Sequence, residues 1–529
     1  GAFSGEHGDG LVRSEWVAWQ FGPRLTRAFG EIKDLFDPAG MMNPGKIVRP
    51  SRMDDSALLR YPPGHRSLPM DTALDWSAWN VNADPATDTL TAPGTGGDPA
   101  QGFAKAVEMC NNNGHCRKFD AGTMCPSYRV TRDEEHLTRG RANTLRLAVS
   151  GQLGPDFAST PVREALDLCV SCKGCRRECP TGVDMAKMKI EFLHQWQRVH
   201  GLSLKDKLIA HLPRWAPWAA RMPWLANLRD TLPGAATLSE RWLGFARQRT
   251  LPSWRRDTFL RAVDAAESNA ISADVVLLVD TFTNYYEPEN AWAARAVLRA
   301  AGYHVHIARA TGGAAEPGRP LCCGRTYLSA GLVDEAKREA RRVIDALLPH
   351  VERGAAIVGL EPSCLLTLRD EFMVMGLGDA AARLAPRAFL IEEFLAAEHH
   401  AGRLRLPLQA LPQTRALLHG HCHQKAFDAM TATREVLSLV PSLAVEVVET
   451  SCCGMAGSFG YEASHYDVSM RMAELSLLPA IRAASDDTLI VADGTSCRHQ
   501  IGDGTREYRG GRKAEHVVRV LERALITGH

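Results

Sequence analysis

Two hydrophobic periods alternate along this chain of 529 residues, and the places where one gives way to the other mark its organisation. Over residues 16–36 apolar side chains fall at helical spacing, and Asn43-Pro44-Gly45-Lys46 supplies the stop signal after that helix. Residues 51–100 lose periodicity. Proline, glycine, aspartate and threonine are scattered through them up to Pro93-Gly94-Thr95-Gly96-Gly97, so the stretch reads as a linker or wrapping loop. Helical spacing returns over residues 134–153 and again from 185 to about 199, which predicts a helical domain for residues 101–200. Residues 201–265 are rich in tryptophan (Trp215, Trp218, Trp224, Trp242, Trp254), proline and basic side chains. They predict short helices packed on neighbouring domains, with contact to a membrane surface or an acidic partner as the sharper alternative.

Beyond residue 272 the apolar runs shorten to strand length and the pattern repeats. The first copy has strands at 275–279 and 303–308, then Cys322-Cys323-Gly324, a helix over Val333–Val351, and a strand at 355–360 leading into Pro362-Ser363-Cys364. The second has strands at 415–419 and 444–448, then Cys452-Cys453-Gly454, a helix through 470–483, and a strand at 488–492 leading into Gly494-Thr495-Ser496-Cys497. Strands alternating with helices predict two α/β modules with parallel sheets, at 272–400 and 412–525.

Charge narrows the partners: 62 lysines and arginines against 61 acidic residues give a net charge of +1, so nothing calls for nucleic acid. No apolar run reaches the roughly 18 residues of a membrane helix. The 14 cysteines are grouped, which favours metal sites in a reducing compartment and predicts a cytoplasmic protein, peripheral at most on the inner face of a membrane. The chain opens Gly1-Ala2-Phe3-Ser4, without initiator methionine or a charged-then-apolar leader, and reads as the back part of a longer polypeptide.

The cysteine groups carry the chemistry. Cys169, Cys172, Cys175 and Cys179, followed by Pro180, have the spacing in which thiolates curl around an iron-sulfur cube. A structural zinc site is the alternative, and it gains nothing from the fourth, proline-followed cysteine. In two-cluster ferredoxins that cysteine ligates the other cluster, so a partner run is required, and Cys110, Cys116 and Cys125-Pro126 supply it. One cluster would take Cys169, Cys172, Cys175 and Cys125; the other would take Cys110, Cys116 and Cys179. Asn113 stands where a standard run has cysteine, so the second site is a 3Fe-4S centre, a cube with another fourth ligand, or a labile site. Between the groups, Thr138-Arg139-Gly140-Arg141-Ala142 is either a solvated basic face or positive charge set near anionic clusters.

Adjacent cysteines followed by glycine are unusual in an ordinary core, and the glycine permits a close backbone approach. The two copies resemble the cysteine-rich CCG domain of heterodisulfide reductase and of the iron-sulfur subunits of anaerobic glycerol-3-phosphate and glycolate dehydrogenases. That pattern has a further upstream cysteine and ends in a CxxC pair, and neither copy is complete. Cys422, Cys452, Cys453 and Cys497 suffice for a cluster, whereas Cys322, Cys323 and Cys364 are three, with Asp280 near the missing position. His419, His421 and His423 flank Cys422 on a segment whose alternation would put all three on one face, for metal ligation, zinc included, or hydrogen bonding.

Ser4-Gly5-Glu6-His7-Gly8-Asp9-Gly10 and the later Phe36-Asp37-Pro38 and Met42-Asn43-Pro44-Gly45-Lys46 are similar to the carboxyl end of FAD-linked oxidases acting on D-2-hydroxy acids. The resemblance implies a divalent metal such as zinc on Glu6, His7 beside substrate and flavin as the catalytic base, and flavin-side contacts at Asn43 and Lys46. The FAD-binding domain and the other metal ligands would lie upstream.

The order of parts resembles the bacterial fusion type of FAD-dependent D-2-hydroxyglutarate dehydrogenase. The implied organisation is the end of an α+β flavin-oxidase domain (1–50), a linker (51–100), an all-α 4Fe-4S ferredoxin-type domain (101–200), a basic helical linker (201–265) and the two α/β modules. FAD and one to three 4Fe-4S clusters are the implied cofactors. Electrons from a D-2-hydroxy acid would pass to quinone or an electron-transfer flavoprotein, and a homo-oligomer is compatible with this. An iron-sulfur subunit of the glycerol-3-phosphate or glycolate type, a D-lactate dehydrogenase and a non-enzymatic iron-sulfur scaffold remain the alternatives. The chain without the FAD domain is expected to be inactive alone.

Overall fold

A computed structural model describes residues 8–58, 65, 67–79, 98–119, 122–263, 274–310, 316, 318–508 and 511–526. It divides into two compact units, one of residues 1–66 and 81–97, the other of residues 67–80 and 98–529.

In the first unit the helix Val17–Phe36 is broken where Gly22 adopts φ +73° ahead of Pro23, which cannot continue the hydrogen-bond ladder. Asp37 closes the helix end by accepting the amides of Met41 (2.8 Å) and Met42 (2.9 Å).

The second unit opens with a segment that packs on its core. Residues 67–79 lie along the helix Met185–His200, where the fully buried carboxylate of Glu191 accepts the amides of Ala73 (2.9 Å) and Leu74 (3.0 Å) and the Trp76 indole N–H (3.1 Å). Trp76 in turn meets Phe103 edge-on, with ring centres 5.1 Å apart. Glu191→Ala strands these donors, and at about 1–3 kcal/mol for each buried orphan it is expected to release the segment. Faster proteolysis within residues 67–79 than in the parent protein is the check, and Glu191→Gln, which keeps one acceptor, should fall between the two.

Residues 98–200 form helices and 3-10 turns, the longest being Thr138–Val149 and Met185–His200. Each α/β module follows as a four-stranded, wholly parallel sheet. The first comprises β1 (Val275–Leu278), β2 (Val305–Ile307), β3 (Ala356–Gly359) and β4 (Ala388–Leu390), in the order β2-β1-β3-β4. The second comprises β5 (Arg415–Leu418), β6 (Ala444–Val447), β7 (Leu489–Val491) and β8 (Ala514–Glu515), in the order β6-β5-β7-β8. β1 and β3 are buried along their whole length because helices cover both faces. The fourth strands, β4 and β8, are additions to the expected pattern. The helix expected through 470–483 is two helices, Tyr466–Glu474 and Leu477–Ala483, parted at Ser476.

Apolar burial ties these parts together. One core joins Phe103, Leu145 and Phe192 of the helical region to Tyr327, Val343 and Leu366 of the first module, and another joins Val297 and Leu395 of the first module to Leu418 and Leu521 of the second. The cysteines are thereby fixed between packed bodies.

Candidate metal centres

All 14 cysteines are free thiols; Cys179 is half-buried and the rest are buried. In the run from Cys169 to Cys179, Ser171 (φ 49°) and Lys173 (φ 59°) adopt left-handed backbone that winds the chain around its own sulfurs. Gly174 opens the following helix, and a Cβ there would lie 2.9 Å from the Met124 nitrogen, so only glycine lets this run approach the one ending in Cys125. Burial raises the Cys172 and Cys175 thiols well above the ordinary range. Neighbouring sulfurs add to this: Cys422 and Cys175 act on Cys172, and Cys125 and Cys169, after the Asp184 carboxylate, act on Cys175. Cys125 is thus brought to Cys169, Cys172 and Cys175. Amides point at the sulfurs, Thr138 N–H to Cys125 at 3.2 Å and Met185 N–H to Cys175 at 3.3 Å. This donor set fits a 4Fe-4S cube, since buried thiolates and N–H groups aimed at sulfur are what such a cube requires.

Cys110 and Cys116 form the neighbouring pair. Burial pushes the Cys116 thiol up to about 11, opposed by the Arg139 amide and reinforced by Cys125 and Cys110. Asn113 is exposed and spends its side chain on the turn, donating to Asn111 (2.6 Å) and accepting from the His115 amide (2.8 Å). It is Asn112 whose oxygen lies 3.8 Å from Cys110. Cys179 ends the helix Gly174–Glu178, its sulfur 3.4 Å from the Thr181 hydroxyl. Of the basic segment, Arg139 pairs with Glu134 at the surface, whereas Arg141 is buried, donating to Ala165 O (2.9 Å) and Ser127 Oγ (2.8 Å). Its charge, set against burial, favours the Cys125 thiolate.

In both α/β modules the glycine amide of the CCG motif donates to the sulfur of the first cysteine at 3.4 Å, Gly324 to Cys322 and Gly454 to Cys452. Gly454 adopts φ +89°, and a Cβ on it would lie 2.2 Å from Ser469 O, which is the close approach the motif implied. In the second module the four sulfurs form one chain of contacts, Cys422 to Cys452 to Cys453 to Cys497. The Cys452 hydrogen bond lowers Cys422 to about 6 against burial, with His421 assisting. Cys453 is lowered further, by hydrogen bonds from Cys452 and Cys497, and those two partners are raised well above the ordinary range in turn. In the first module Cys322, Cys323 and Cys364 are also linked, but all three are raised, and Cys364 reaches about 12 although a hydrogen bond from Cys323 opposes burial. Burial, and then Glu361, raise Asp280 beside them to about 6, and its carboxylate caps the helix Thr281–Tyr285.

The three histidines do not share one face. The strand stops at Leu418 and a helix starts at Cys422, so the expected alternation ends before it can align them. His419 lies with Cys453 and Cys497, their ligand atoms within 4.8 Å of one another. His421 Nδ1 accepts the His423 amide at 3.1 Å, and His423 Nε2 lies 3.1 Å from Ser171 O.

That last contact joins the ferredoxin-type run to the second module, and others reinforce it. Ser451 Oγ donates to Thr123 O at 2.5 Å, and Cys172 faces Cys422. Toward the first module, Lys173 is buried with its ammonium 2.5 Å from Asp370 and 2.6 Å from Glu371. His423 was singled out beside Cys422, and its bond to Ser171 O is of the hydrogen-bonding kind; Lys173 does not stand out in the sequence beyond its place inside a cysteine run. Asn43 is exposed and Lys46, in the same unit, half-buried, the two bonded to each other at 3.1 Å. Glu6 and His7 lie outside the described residues.

This combination of donors and folds defines the class. Residues 1–47 match the C-terminal domain of FAD linked oxidases, residues 106–183 the 4Fe-4S dicluster domain, and residues 416–502 the cysteine-rich CCG domain. Among particular proteins, the chain is similar to a D-2-hydroxyglutarate dehydrogenase of Escherichia coli strain K12, 25% identical over 562 residues covering 96% of this chain and 50% of that protein. A D-2-hydroxyglutarate dehydrogenase of Pseudomonas putida is 27% identical over 98% of the chain and 51% of its own length. The glycolate oxidase iron-sulfur subunit of E. coli K12 is 22% identical over 79% of the chain and 94% of its own length. The chain spans about half the length of the dehydrogenases it matches.

Proposed function

We propose that this chain is the iron-sulfur electron-transfer part of an FAD-dependent D-2-hydroxy acid dehydrogenase, with D-2-hydroxyglutarate as the substrate. The observation that carries the reading is the seating of the Cys169–Cys175 loop on the second module, Cys172 against Cys422 and His423 on Ser171 O, which sets two thiolate-rich sites side by side in a dry interior. When bound, 4Fe-4S clusters supply one-electron transfer, the chemistry a two-electron flavin needs to deliver its electrons singly.

The all-α domain 101–200 would hold one cluster on Cys125, Cys169, Cys172 and Cys175 and a second on Cys110, Cys116 and Cys179; the module 412–525 would hold a third on Cys422, Cys452, Cys453 and Cys497. Amides of Thr138, Met185 and Gly454 and the buried Arg141 stabilise negative charge on these sulfurs. Within residues 1–50, His7 would take the substrate hydroxyl proton, Glu6 would hold a divalent metal such as zinc, and Asn43 and Lys46 would lie on the flavin side. Quinone or an electron-transfer flavoprotein would accept the electrons, with peripheral contact to a membrane for the former. No helix among the described residues is long and apolar enough to cross one.

The experiment is anaerobic addition of D-2-hydroxyglutarate to the whole protein. Flavin bleaching together with EPR signals of reduced clusters is the expected result. Clusters reduced by dithionite but not by this acid would reject the substrate. Clusters without flavin would place the protein among iron-sulfur subunits that carry no flavin of their own.

A further inference from the structure

Residues 204–243 are built inside out. Toward the protein the helix Leu212–Arg221 presents small residues, Ala216 and Ala220, which pack on Trp254, Tyr285 and Tyr286. Its outer face carries Arg214, Trp218 and Arg221, at helical spacing on one side. The flanking helices repeat this. Leu204–Ala210 exposes Leu204, Lys207 and Leu208; Pro223–Ala226 exposes Trp224 and Leu225; Ala235–Leu243 exposes Leu238, Arg241 and Trp242. Trp218, Trp224 and Trp242 are 62%, 68% and 76% exposed, and the helix that exposes Trp218 buries alanine on its other side. Core packing would place these residues the other way round.

The charge on these faces has one sign. The segment's acids are engaged elsewhere: Asp206 accepts from Ser203 Oγ (2.7 Å), Asp230 is held by Arg229 and the Leu251 amide (2.9 Å), and Glu240 accepts the Arg247 amide (2.7 Å). Arg221 lies over the Trp218 ring at 4.8 Å and also lines a cavity of about 420 Å³ together with Arg256, Arg261 and Arg309, and with Arg319, which is paired with Glu316 and Glu339. Exposed tryptophan and leucine interleaved with arginine and lysine is the composition of a helix face that lies in a bilayer interface, where indole rings sit at headgroup depth and cations meet anionic lipid.

We infer that the outer faces of these helices dock on an anionic phospholipid bilayer, tryptophans and leucines entering the interface and the arginines meeting headgroup phosphates. The inference deepens the proposed function, since it puts the chain at a membrane and favours quinone as the acceptor, and it rests on that reading only for this consequence. Vesicle binding is read without turnover, so it fails or holds independently of the substrate.

The test mixes the whole protein with vesicles of phosphatidylcholine alone, or of phosphatidylcholine and phosphatidylglycerol in equal parts, and follows co-sedimentation. Binding to the anionic vesicles at least tenfold tighter than to the neutral ones is expected, weakening as salt rises. In the unmodified protein, brominated phosphatidylglycerol should quench tryptophan emission. The triple change Trp218→Ser, Trp224→Ser and Trp242→Ser should abolish the quenching and lower binding by about tenfold or more, while iron content and substrate-dependent bleaching stay unchanged. Should the triple variant fold poorly, Trp242→Ser alone carries the same readout. Binding that ignores lipid charge, or a parent protein that binds neither vesicle, would overturn the inference. So would a serine variant that binds as before, or one that changes oligomeric state in sedimentation velocity, which would assign the face to a second copy of the chain.

Discussion

Cys175→Ser and Cys453→Ser are each expected to cost the protein one cluster's worth of iron, whereas Cys323→Ser leaves iron content unchanged. The contrast comes from how many sulfurs each site gathers. A cube takes its ligands from thiolates held around one point, so a site where four sulfurs meet is favoured over one where three do. In the second module Cys453 is drawn down by hydrogen bonds from Cys452 and Cys497, and by His419, and Cys422 is lowered to about 6. The half-buried Lys425 ammonium, fixed on Thr450 O at 2.6 Å, adds positive charge to the same site. The first module gathers three sulfurs and lowers none of them. Its sulfurs neighbour Asp280, Glu339 and Glu361, and all three thiols are raised. Cys323 receives a stabilising hydrogen bond from Cys322, but its bond to Cys364 and its burial outweigh it. Two similar motifs therefore diverge: the second module brings four sulfurs into contact, enough for one cluster, and the first brings three with the Asp280 carboxylate beside them. Iron quantitation with EPR on the three single variants decides the matter, and loss of iron from Cys323→Ser equal to that from Cys453→Ser would sink the distinction.

Much of this was legible in the sequence because cysteine spacing and strand-helix alternation are local signals. The helix Val333–Val351 was expected with those limits, and the six expected strands lie within a residue or two of their predicted ends. β4 and β8 were not legible, since three and two residues are too few to show a period. The break at Ser476 was hidden by an apolar pattern that continues through it. At the metal sites the sequence grouped the sulfurs but not their setting. That Arg141 is buried beside Cys125 while Arg139 is at the surface depends on which side of the helix Thr138–Val149 meets Ala165 and Ser127. The divergence of His419, His421 and His423 follows from a strand ending one residue early. The junction of the cysteine run with both modules joins residues far apart in the chain, for which one sequence holds no local signal.

Lys173→Met tests that junction, and it is expected to loosen the Cys169–Cys175 loop by about 3 kcal/mol, within the range for removing one partner of a buried ion pair. Lys173 is buried between Asp370 and Glu371 of the first module, with the Phe427 ring of the second centred 5.5 Å from its ammonium. Burial opposes ionisation of Asp370, yet Lys173, and then Lys187 and Arg176, hold its carboxyl well below the usual range. Without Lys173, Asp370 keeps Lys187 at 2.7 Å and Glu371 keeps Arg325, so the loss is partial, not the full cost of two orphaned charges. Hydrogen exchange of the loop amides should rise about a hundredfold, since about 1.4 kcal/mol is a factor of ten. The sign of the pH dependence follows from the depressed carboxyl. The stability that Asp370 contributes is present above its unfolded value and is lost as pH falls toward its lower folded value, so the variant's deficit should be largest near neutrality and shrink in acid. Unchanged exchange in Lys173→Met, or a deficit that grows on acidification, would show that the loop is held by its apolar contacts and its cluster and not by this ion pair.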